Sequence, residues 1–192
     1  MSSPVALIFG AGKNIGANVA KSLAANGYKV ALASRTSQHG LSDSQYMCTT
    51  CDLADPSSVE KVFETVREKL GHPSVVVYNG MRAWYPLSLS ETNQHLAAAH
   101  KGSPDKEAPL GLPLTDLKNT LDVNLSSAYV AAQQAVSSFE LADSNHNKAF
   151  IYTGNRLNVA PIVPLLSLGI GKSALAHMMA FLSSFYQQKG FK

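Results

Sequence analysis

The sequence predicts an α/β protein with a doubly wound parallel sheet. Short apolar runs alternate with amphipathic helical segments, the segments between runs are long enough for parallel crossovers, and a glycine-rich turn follows the first run. The length of 192 residues fits one domain spanning residues 1–192. Because apolar residues make up 45% of the chain and the net charge is only +3, the sequence can form a hydrophobic core.

The first part of the chain predicts four strands and two helices. The strands are short apolar or β-branched runs, typical of buried parallel strands, at residues 5–9, 29–33, 46–51 and 75–77. Between the first two strands, Ile15, Val19 and Leu23 recur at helical spacing and predict a helix. A second helix is expected after Asp55, because Asp is a good N-cap and Pro56 suits the first helical position.

The pattern fails between residues 82 and 113, where prolines and glycines punctuate a polar stretch. We interpret this segment as an inserted loop or lid with a short helical candidate at residues 91–100. A long helix follows Thr115, the expected cap, and a fifth strand is predicted at residues 149–153. The last helix is predicted at residues 168–188. The long helix has one apolar stripe, formed by Leu117, Leu121, Leu125, Ala128, Ala132 and Ala135.

Composition disfavours several classes of function. Lys and Arg are scattered singly, so no run could neutralise the successive phosphates of a nucleic acid. No apolar stretch approaches the ~18 residues of a membrane span, and the first residues lack the basic region of a signal peptide; we expect a cytoplasmic protein without a membrane partner. We predict no metal site. Cys48 and Cys51 spell a CxxC motif, but residues three apart on a strand face opposite sides, which favours two buried, unreactive thiols.

A glycine-rich turn directly after the first strand is the strongest functional signal. Residues 10–16 read G-A-G-K-N-I-G and open the first helix. Without side chains at Gly10 and Gly12, the backbone can turn tightly and approach a pyrophosphate, whose charge the free N–H groups at the helix start attract. Although such a turn can be only a turn, the sequence of strand, glycines and amphipathic helix favours a dinucleotide site.

The residues after the second strand distinguish between dinucleotides. NAD sites usually place an acid there for the ribose 2′-hydroxyl, whereas NADP sites place a base for the 2′-phosphate. This sequence has Ser34 and Arg35 and no acid, and Lys13 adds a second positive charge from the glycine turn. Arg35 could be only a solvated surface residue, but together with Lys13 it favours NADP(H).

These features resemble the short-chain dehydrogenase/reductase family over essentially the whole chain. The family's T-G-x-x-x-G-x-G signature falls on residues 9–16, where Gly10 and Gly16 match and Asn14 replaces the middle glycine. Asn tolerates a left-handed backbone better than other residues with a side chain, so the turn can be kept. The resemblance implies a Rossmann-type sheet that binds a nicotinamide dinucleotide.

Other motifs of the family match in part. Its adenine-binding Asp corresponds to Asp52, and its N-N-A-G signature falls on residues 78–81, where Asn79 fits and Gly80 replaces the Ala. Taken with the turn and the second strand, the resemblance implies a set of cofactor-binding residues. They are Gly10, Gly12, Lys13, Asn14, Ile15, Gly16, Ser34, Arg35, Asp52, Leu53, Asn79, Gly80 and Lys172.

The catalytic positions of the family are also matched in part. A D-V-N-L stretch makes Asn124 the counterpart of the Asn that holds a proton-relay water in the family. The family's Y-x-x-x-K pair falls on Leu168 and Lys172, so the lysine is present and the tyrosine is not. The catalytic Ser corresponds to Asn155, with Thr153 as a less favoured alternative.

The missing tyrosine bears directly on the expected chemistry. In the family, the ammonium lowers the phenol pKa so that the phenol exchanges a proton with substrate, and it also bonds the nicotinamide ribose hydroxyls. Leucine cannot donate a proton, so turnover would depend on Asn124, Asn155 and Lys172 to relieve charge on the substrate. An acid could also come from the inserted loop, whose candidates are Arg82, Tyr85, His95 and His100.

The resemblance implies an NADP(H)-dependent oxidoreductase acting on a small organic carbonyl, enone or imine. Two alternatives stay open: a catalytically silent NADPH-binding sensor or scaffold, and a non-redox isomerase or cyclase that uses the same pocket. Family members usually continue with further strands after the last helix, and this sequence lacks them. Either the sequence is part of a longer protein, or it is a shortened member, for which we expect an exposed sheet edge that a homo-oligomer or another partner covers.

Overall fold

The computed structural model describes residues 2–36, 45–80, 110–162 and 165–192. Its five strands form one parallel sheet in the order β3-β2-β1-β4-β5, which confirms the predicted doubly wound, Rossmann-type architecture. Each observed strand lies within two residues of its predicted bounds. The strands are β1 (Val5–Phe9), β2 (Lys29–Ser34), β3 (Tyr46–Thr50), β4 (Pro73–Tyr78) and β5 (Ala149–Tyr152).

Helices cover both faces of the sheet. The helices are α1 (Ile15–Ala25), α2 (Pro56–Lys69), α3 (Leu114–Leu121), α4 (Ser127–Leu141) and α5 (Leu166–Tyr186). Short 3₁₀ turns lie at Arg156–Asn158 and Gln187–Lys189. The α2 N-terminus is formed as predicted, since the Asp55 carboxylate accepts the N–H of Ser57 and Pro56 occupies the first turn.

The two faces of β1 explain its continuous apolar sequence. Leu7 and Phe9 pack in the larger core cluster with α2 and α4, whereas Ala6 and Ile8 pack in a second cluster on the α1 side. All are fully buried. A strand covered on both faces needs apolar residues at every position, which is why the run does not alternate.

The long helix differs from its prediction in two ways. It begins at Leu114, one residue after Pro113, so Thr115 is not its cap. A π-helical turn over Asp122–Ser126 separates α3 from α4 and adds a residue to the turn, so the buried face changes position along the helix. Consequently Ala128, Ala132 and Ala135 are buried as predicted, but the three leucines before them are only half-buried.

The two cysteines also differ from the prediction. Cys51 is buried just beyond β3, where its thiol lies 3.3 Å from the Ser58 hydroxyl, but Cys48 is exposed on this edge strand. Both are free thiols. The expectation of two buried thiols was wrong for Cys48, because β3 has a neighbouring strand on one side only. The predicted inserted loop lies outside the described residues except for 110–113.

Residues after α5 pair with part of the edge strand β5. The N–H of Phe150 donates to the carbonyl of Lys192 at 2.8 Å, and the N–H of Lys192 donates to the carbonyl of Lys148 at 3.0 Å. Phe191 packs edge-on against Phe139 of α4. Half of the Ile151 side chain is nevertheless exposed on β5.

Candidate cofactor and active site

The carboxyl ends of the strands meet at one edge of the sheet, and main-chain hydrogen bonds continue past the strand ends. This extension fixes the loops that contain the predicted site residues relative to one another. In these hydrogen bonds, of 2.9–3.1 Å, the donor N–H belongs to the residue after one strand and the acceptor carbonyl to a neighbouring strand. The N–H of Gly10 donates to Ala33, that of Cys51 to Ser34, that of Asn79 to Phe9, and that of Thr153 to Tyr78.

The glycine turn is held by close backbone contacts. Gly10 has φ +70°, and a Cβ there would lie 2.6 Å from the carbonyl oxygen of Asn79. A Cβ on Gly16 would lie 2.5 Å from the Cα of Ala11, so this glycine lets α1 start directly against the turn. At Gly12 a Cβ would meet nothing within 4 Å, which leaves open space in front of the turn.

The start of α1 has the features that a pyrophosphate needs. No side chain caps its first turn and no acidic residue lies there, so the positive end of the helix dipole is available to an anion, while the N–H of Ala17 donates to the carbonyl of Gly12 at 3.0 Å. Ile15, Gly12 and Lys13 are exposed beside it. The residues present therefore fit a dinucleotide. Asn14 has φ −92° and does not adopt the left-handed backbone that its position suggested. The turn therefore does not depend on the ability of Asn to adopt a left-handed conformation.

The close approach at Gly16 gives a first testable prediction. Gly16→Ala should lower the free energy of unfolding by about 1–3 kcal/mol, because the new Cβ meets backbone atoms that cannot rotate away. Gly12→Ala is the matched control and should change that free energy by less than about 0.5 kcal/mol. Urea unfolding measures both, and equal stability of the two variants would contradict the packing role of Gly16.

The end of β2 presents the predicted cationic group. Arg35 is exposed directly after the strand, and the Ser34 hydroxyl donates to the carbonyl of Thr36 at 2.7 Å. Arg35 and Lys13 both extend from loops at the carboxyl edge. Among the described residues, neither forms an ion pair.

The third and fourth strands supply a packed wall beside the turn. The Asp52 carboxylate is exposed and accepts the N–H of Ala54 at 3.0 Å, while Leu53 is buried and its carbonyl accepts the Ser127 hydroxyl at 2.8 Å. A Cβ on Gly80 would collide with the Leu53 side chain. The family's Ala cannot occupy this position unless Leu53 moves, which accounts for glycine here.

The π-helical turn places Asn124 inside the molecule. Its side chain is fully buried, and its amide donates to the carbonyl of Thr120 at 2.9 Å. A Cβ on Gly171 of α5 would lie 2.9 Å from the Asn124 Cβ, so glycine in α5 allows this close approach. Asn124 thus lies next to the residue that precedes Lys172.

Lys172 is buried at the carboxyl edge with only 3% of its surface exposed. Its ammonium donates to the carbonyl of Thr153 at 2.9 Å and lies 4.5 Å from the ring centre of Tyr152. No carboxylate of the described residues lies within ion-pair distance, and burial lowers the pKa of Lys172 to about 8. Burial also raises the pKa of Tyr152, whose hydroxyl has no hydrogen-bond partner in the described part of the chain.

The positions of the family's Tyr and Ser are occupied differently. Leu168 is 2% exposed and packs in a small apolar cluster with Leu157 and Leu165. Asn155 is exposed, and its side-chain oxygen accepts the N–H of Leu157 at 3.0 Å as the cap of a 3₁₀ turn. The amide oxygen of Asn155 therefore has a structural partner, which leaves its NH₂ group for any substrate contact.

Thr153 is the site residue whose role the sequence does not reveal. Its hydroxyl donates to the Asn79 side-chain oxygen at 2.9 Å, and the Asn79 amide donates to the carbonyl of Gly10 at 3.0 Å. Together with Lys172, these residues form one hydrogen-bonded group at the carboxyl edge. The available signal was the position of Thr153 at the end of β5, which gives no information on side-chain partners.

The strand order and the glycine turn define a doubly wound α/β protein, and comparisons identify its family. A family model described as short chain dehydrogenase matches residues 4–189. The chain is 43% identical over 192 residues to the short chain dehydrogenase/reductase dmxR12 of a Cryptosporiopsis species, covering all of this chain and 75% of that protein. This chain belongs to the short-chain dehydrogenase/reductase family of oxidoreductases.

Solved structures agree with this fold. The 3-ketoacyl-(acyl-carrier-protein) reductase from Brucella melitensis, complexed with NADH, matches with a TM-score of 0.80 at 17% identity, over 100% of this chain and 73% of that one. A variant of actinorhodin polyketide ketoreductase with NADPH matches with a TM-score of 0.76 at 17% identity, over 100% and 69%. Within the described ranges, no helix is long and apolar enough to cross a membrane.

Proposed function

We propose that this chain binds NADP(H) at the carboxyl edge and, with it, reduces or oxidises a small organic carbonyl, enone or imine. The observation that supports this most strongly is the group formed by the glycine turn, Asn79, Thr153 and the buried Lys172. Such a group joins the dinucleotide end of the site to a cation beside the reacting end. When bound, NADPH would supply the hydride for reduction, and NADP⁺ would accept it in the reverse direction.

The preference for NADP(H) rests on charge. Arg35 and Lys13 are exposed at the carboxyl edge, and no acidic residue follows β2 where a ribose 2′-hydroxyl would need one. The Arg35 guanidinium can bind a 2′-phosphate through two parallel hydrogen bonds. NADH has no 2′-phosphate and cannot form them.

The chain's own residues can relieve charge on a substrate oxygen. The Lys172 ammonium uses one of its three donors on Thr153, so two donors are available to a ribose hydroxyl or to substrate. We assign the supporting roles to the NH₂ group of Asn155 and to a water held by Asn124. No phenol takes part at position 168, because that position is leucine.

The cofactor assignment is tested by charge reversal. Arg35→Asp should weaken NADPH binding by roughly 10- to 100-fold, since hydrogen bonds to a charged group are replaced by repulsion, and should leave NADH affinity nearly unchanged. Lys69→Asp makes the same charge change at an exposed position near the end of α2 and serves as the control. Calorimetric titration measures all the affinities, and equal weakening of NADPH and NADH would refute the assignment.

A second candidate function has its own supporting observation. Leu168 is buried against Leu157 where the family has its acid, which favours a silent NADPH-binding sensor or scaffold. A non-redox isomerase or cyclase is compatible with the same pocket. Cofactor absorbance over a panel of carbonyl, enone and imine compounds separates the three, because only the oxidoreductase consumes NADPH and only the non-redox enzyme converts substrate without consuming it.

We also propose a cytoplasmic location and a homo-oligomeric or partnered state. The two free thiols, Cys48 and Cys51, are typical of a reducing compartment. Ile151 on β5 and Phe181 and Phe185 on α5 are exposed apolar residues that a second copy or another partner would cover.

A further inference from the structure

Thr153 is the central residue of the hydrogen-bonded group at the carboxyl edge. Its N–H donates to the carbonyl of Tyr78 at 3.1 Å, which extends the pairing of β5 with β4. Its carbonyl accepts the Lys172 ammonium at 2.9 Å, and its hydroxyl donates to the Asn79 side chain at 2.9 Å. All three polar groups of this one residue are therefore used, two toward the end of β4 and the residue that follows it, and one toward α5.

The Thr153 hydroxyl holds the oxygen side of the Asn79 amide. The hydroxyl proton is donated to the Asn79 oxygen, and the NH₂ group of the same amide donates at 3.0 Å to the carbonyl of Gly10, which can only accept and therefore sets the orientation of the amide. Gly10 also has φ +70°, and a Cβ there would lie 2.6 Å from the carbonyl oxygen of Asn79. The Gly10 carbonyl in the glycine turn thus accepts from an amide that Thr153 supports.

We propose that Thr153 is a positioning residue for cofactor binding, acting through the Asn79 amide on the carbonyl of Gly10. This inference rests on the proposed function, since it assumes that the glycine turn binds a dinucleotide. Without the hydroxyl, the Asn79 oxygen loses its donor, the amide loses one of its hydrogen bonds, and the Gly10 carbonyl is held less firmly. The same residue places Lys172 through its main-chain carbonyl, so the turn and the lysine share one support.

Matched substitutions separate the hydroxyl from the rest of Thr153. Thr153→Val keeps the size and branching and removes the hydroxyl, while Thr153→Ser keeps the hydroxyl and removes the methyl group. Both retain the main-chain groups that contact Tyr78 and Lys172. Thr153→Ala is a second variant without the hydroxyl, which keeps the comparison available if the valine variant does not fold.

The experiment is a double-mutant cycle read by calorimetric titration of the full chain with NADPH. Thr153→Val should weaken binding about 3- to 10-fold, the value of one neutral hydrogen bond, whereas Thr153→Ser should stay within about twofold of wild type. In an Asn79→Ala background, Thr153→Val should have no further effect, because the residue through which it acts is gone. Urea unfolding of each variant confirms that the compared proteins are folded.

The outcomes separate this inference from the proposed function. Absence of NADPH binding by the wild-type chain would refute the proposed function, and with it the premise of the inference. Normal binding by wild type together with equal affinities of the valine, alanine and serine variants would overturn the role of Thr153 alone. The proposed role of Thr153 would also be overturned if Thr153→Val weakened NADPH binding as much in the Asn79→Ala background as in wild type. Thr153 would then act by a route other than Asn79.

Discussion

Leu168→Tyr should raise NADPH-dependent carbonyl reduction by roughly 10²- to 10⁴-fold, the usual contribution of a positioned general acid. Leu168 and Lys172 lie one helical turn apart on α5, so a phenol at 168 would lie on the same side of the helix as the ammonium. The nearby positive charge would lower the phenol pKa from about 10 toward the working pH. The phenol could then give the substrate oxygen the proton that leucine cannot give.

The tight packing around position 168 means that the tyrosine variant needs a control with a ring of similar size. Leu168 is 2% exposed against Leu157 and Leu165, so any aromatic ring there overfills the cluster and should cost about 1–3 kcal/mol of unfolding free energy. Leu168→Phe introduces nearly the same ring without the hydroxyl. The rate ratio of the tyrosine to the phenylalanine variant therefore measures the hydroxyl alone, with NADPH absorbance as the rate assay and urea unfolding as the check on folding.

A tyrosine variant that folds, binds NADPH and is no faster than the phenylalanine variant would contradict this prediction. The deficit would then lie at Asn155, whose side-chain oxygen is held by the N–H of Leu157 and whose position the family gives to Ser. Because that bond caps the 3₁₀ turn that contains Leu157, and Leu157 packs against Leu168, the Ser and Tyr positions of the family are linked through Leu157 in this chain. Restoring one of them alone would then be insufficient.

The fold could be predicted because its signals are local. The continuous apolar sequence of β1 requires burial on both faces, and Gly16 is explained by its close approach to Ala11, five positions earlier. These properties depend on backbone geometry and side-chain size, which the sequence states directly. The positions of Gly10, Gly16 and Lys172 at the carboxyl edge then follow from the strand order.

The parts of the site that could not be predicted depend on contacts between distant segments. The π-helical turn that buries Asn124 fits against Gly171, which lies 47 positions later in the sequence. No local sequence pattern predicts this contact. The hydrogen bond from Thr153 to Asn79 spans 74 positions. The capping bond of Asn155 is local, but it appears only once the 3₁₀ turn at Arg156–Asn158 is known.

The second large effect concerns Lys172, whose charge should control NADPH affinity as a function of pH. Burial lowers its pKa to about 8, so the ammonium is fully charged at lower pH and is lost as the pH rises through about 8. Wild-type affinity for NADPH should therefore fall between about pH 7 and 10, and Lys172→Met should weaken binding roughly 10- to 100-fold at pH 7 with little further change above it. The 2′-phosphate does not titrate in this window, since its second pKa is about 6.

Titration of Lys172 should raise the free energy of unfolding over the same pH range in which it lowers NADPH affinity. This difference in direction distinguishes loss of the ammonium charge from unfolding at alkaline pH. In the unfolded chain Lys172 has its ordinary pKa of about 10.4, so between about pH 8 and 10 the unfolded state binds more protons than the folded state. The free energy of unfolding of wild type, relative to Lys172→Met, should therefore rise with pH in the range where NADPH affinity falls. Lys172→Arg, which stays charged throughout, should retain a flat binding profile above pH 8. Parallel binding profiles of wild type and Lys172→Met would show that the ammonium of Lys172 does not contact the cofactor.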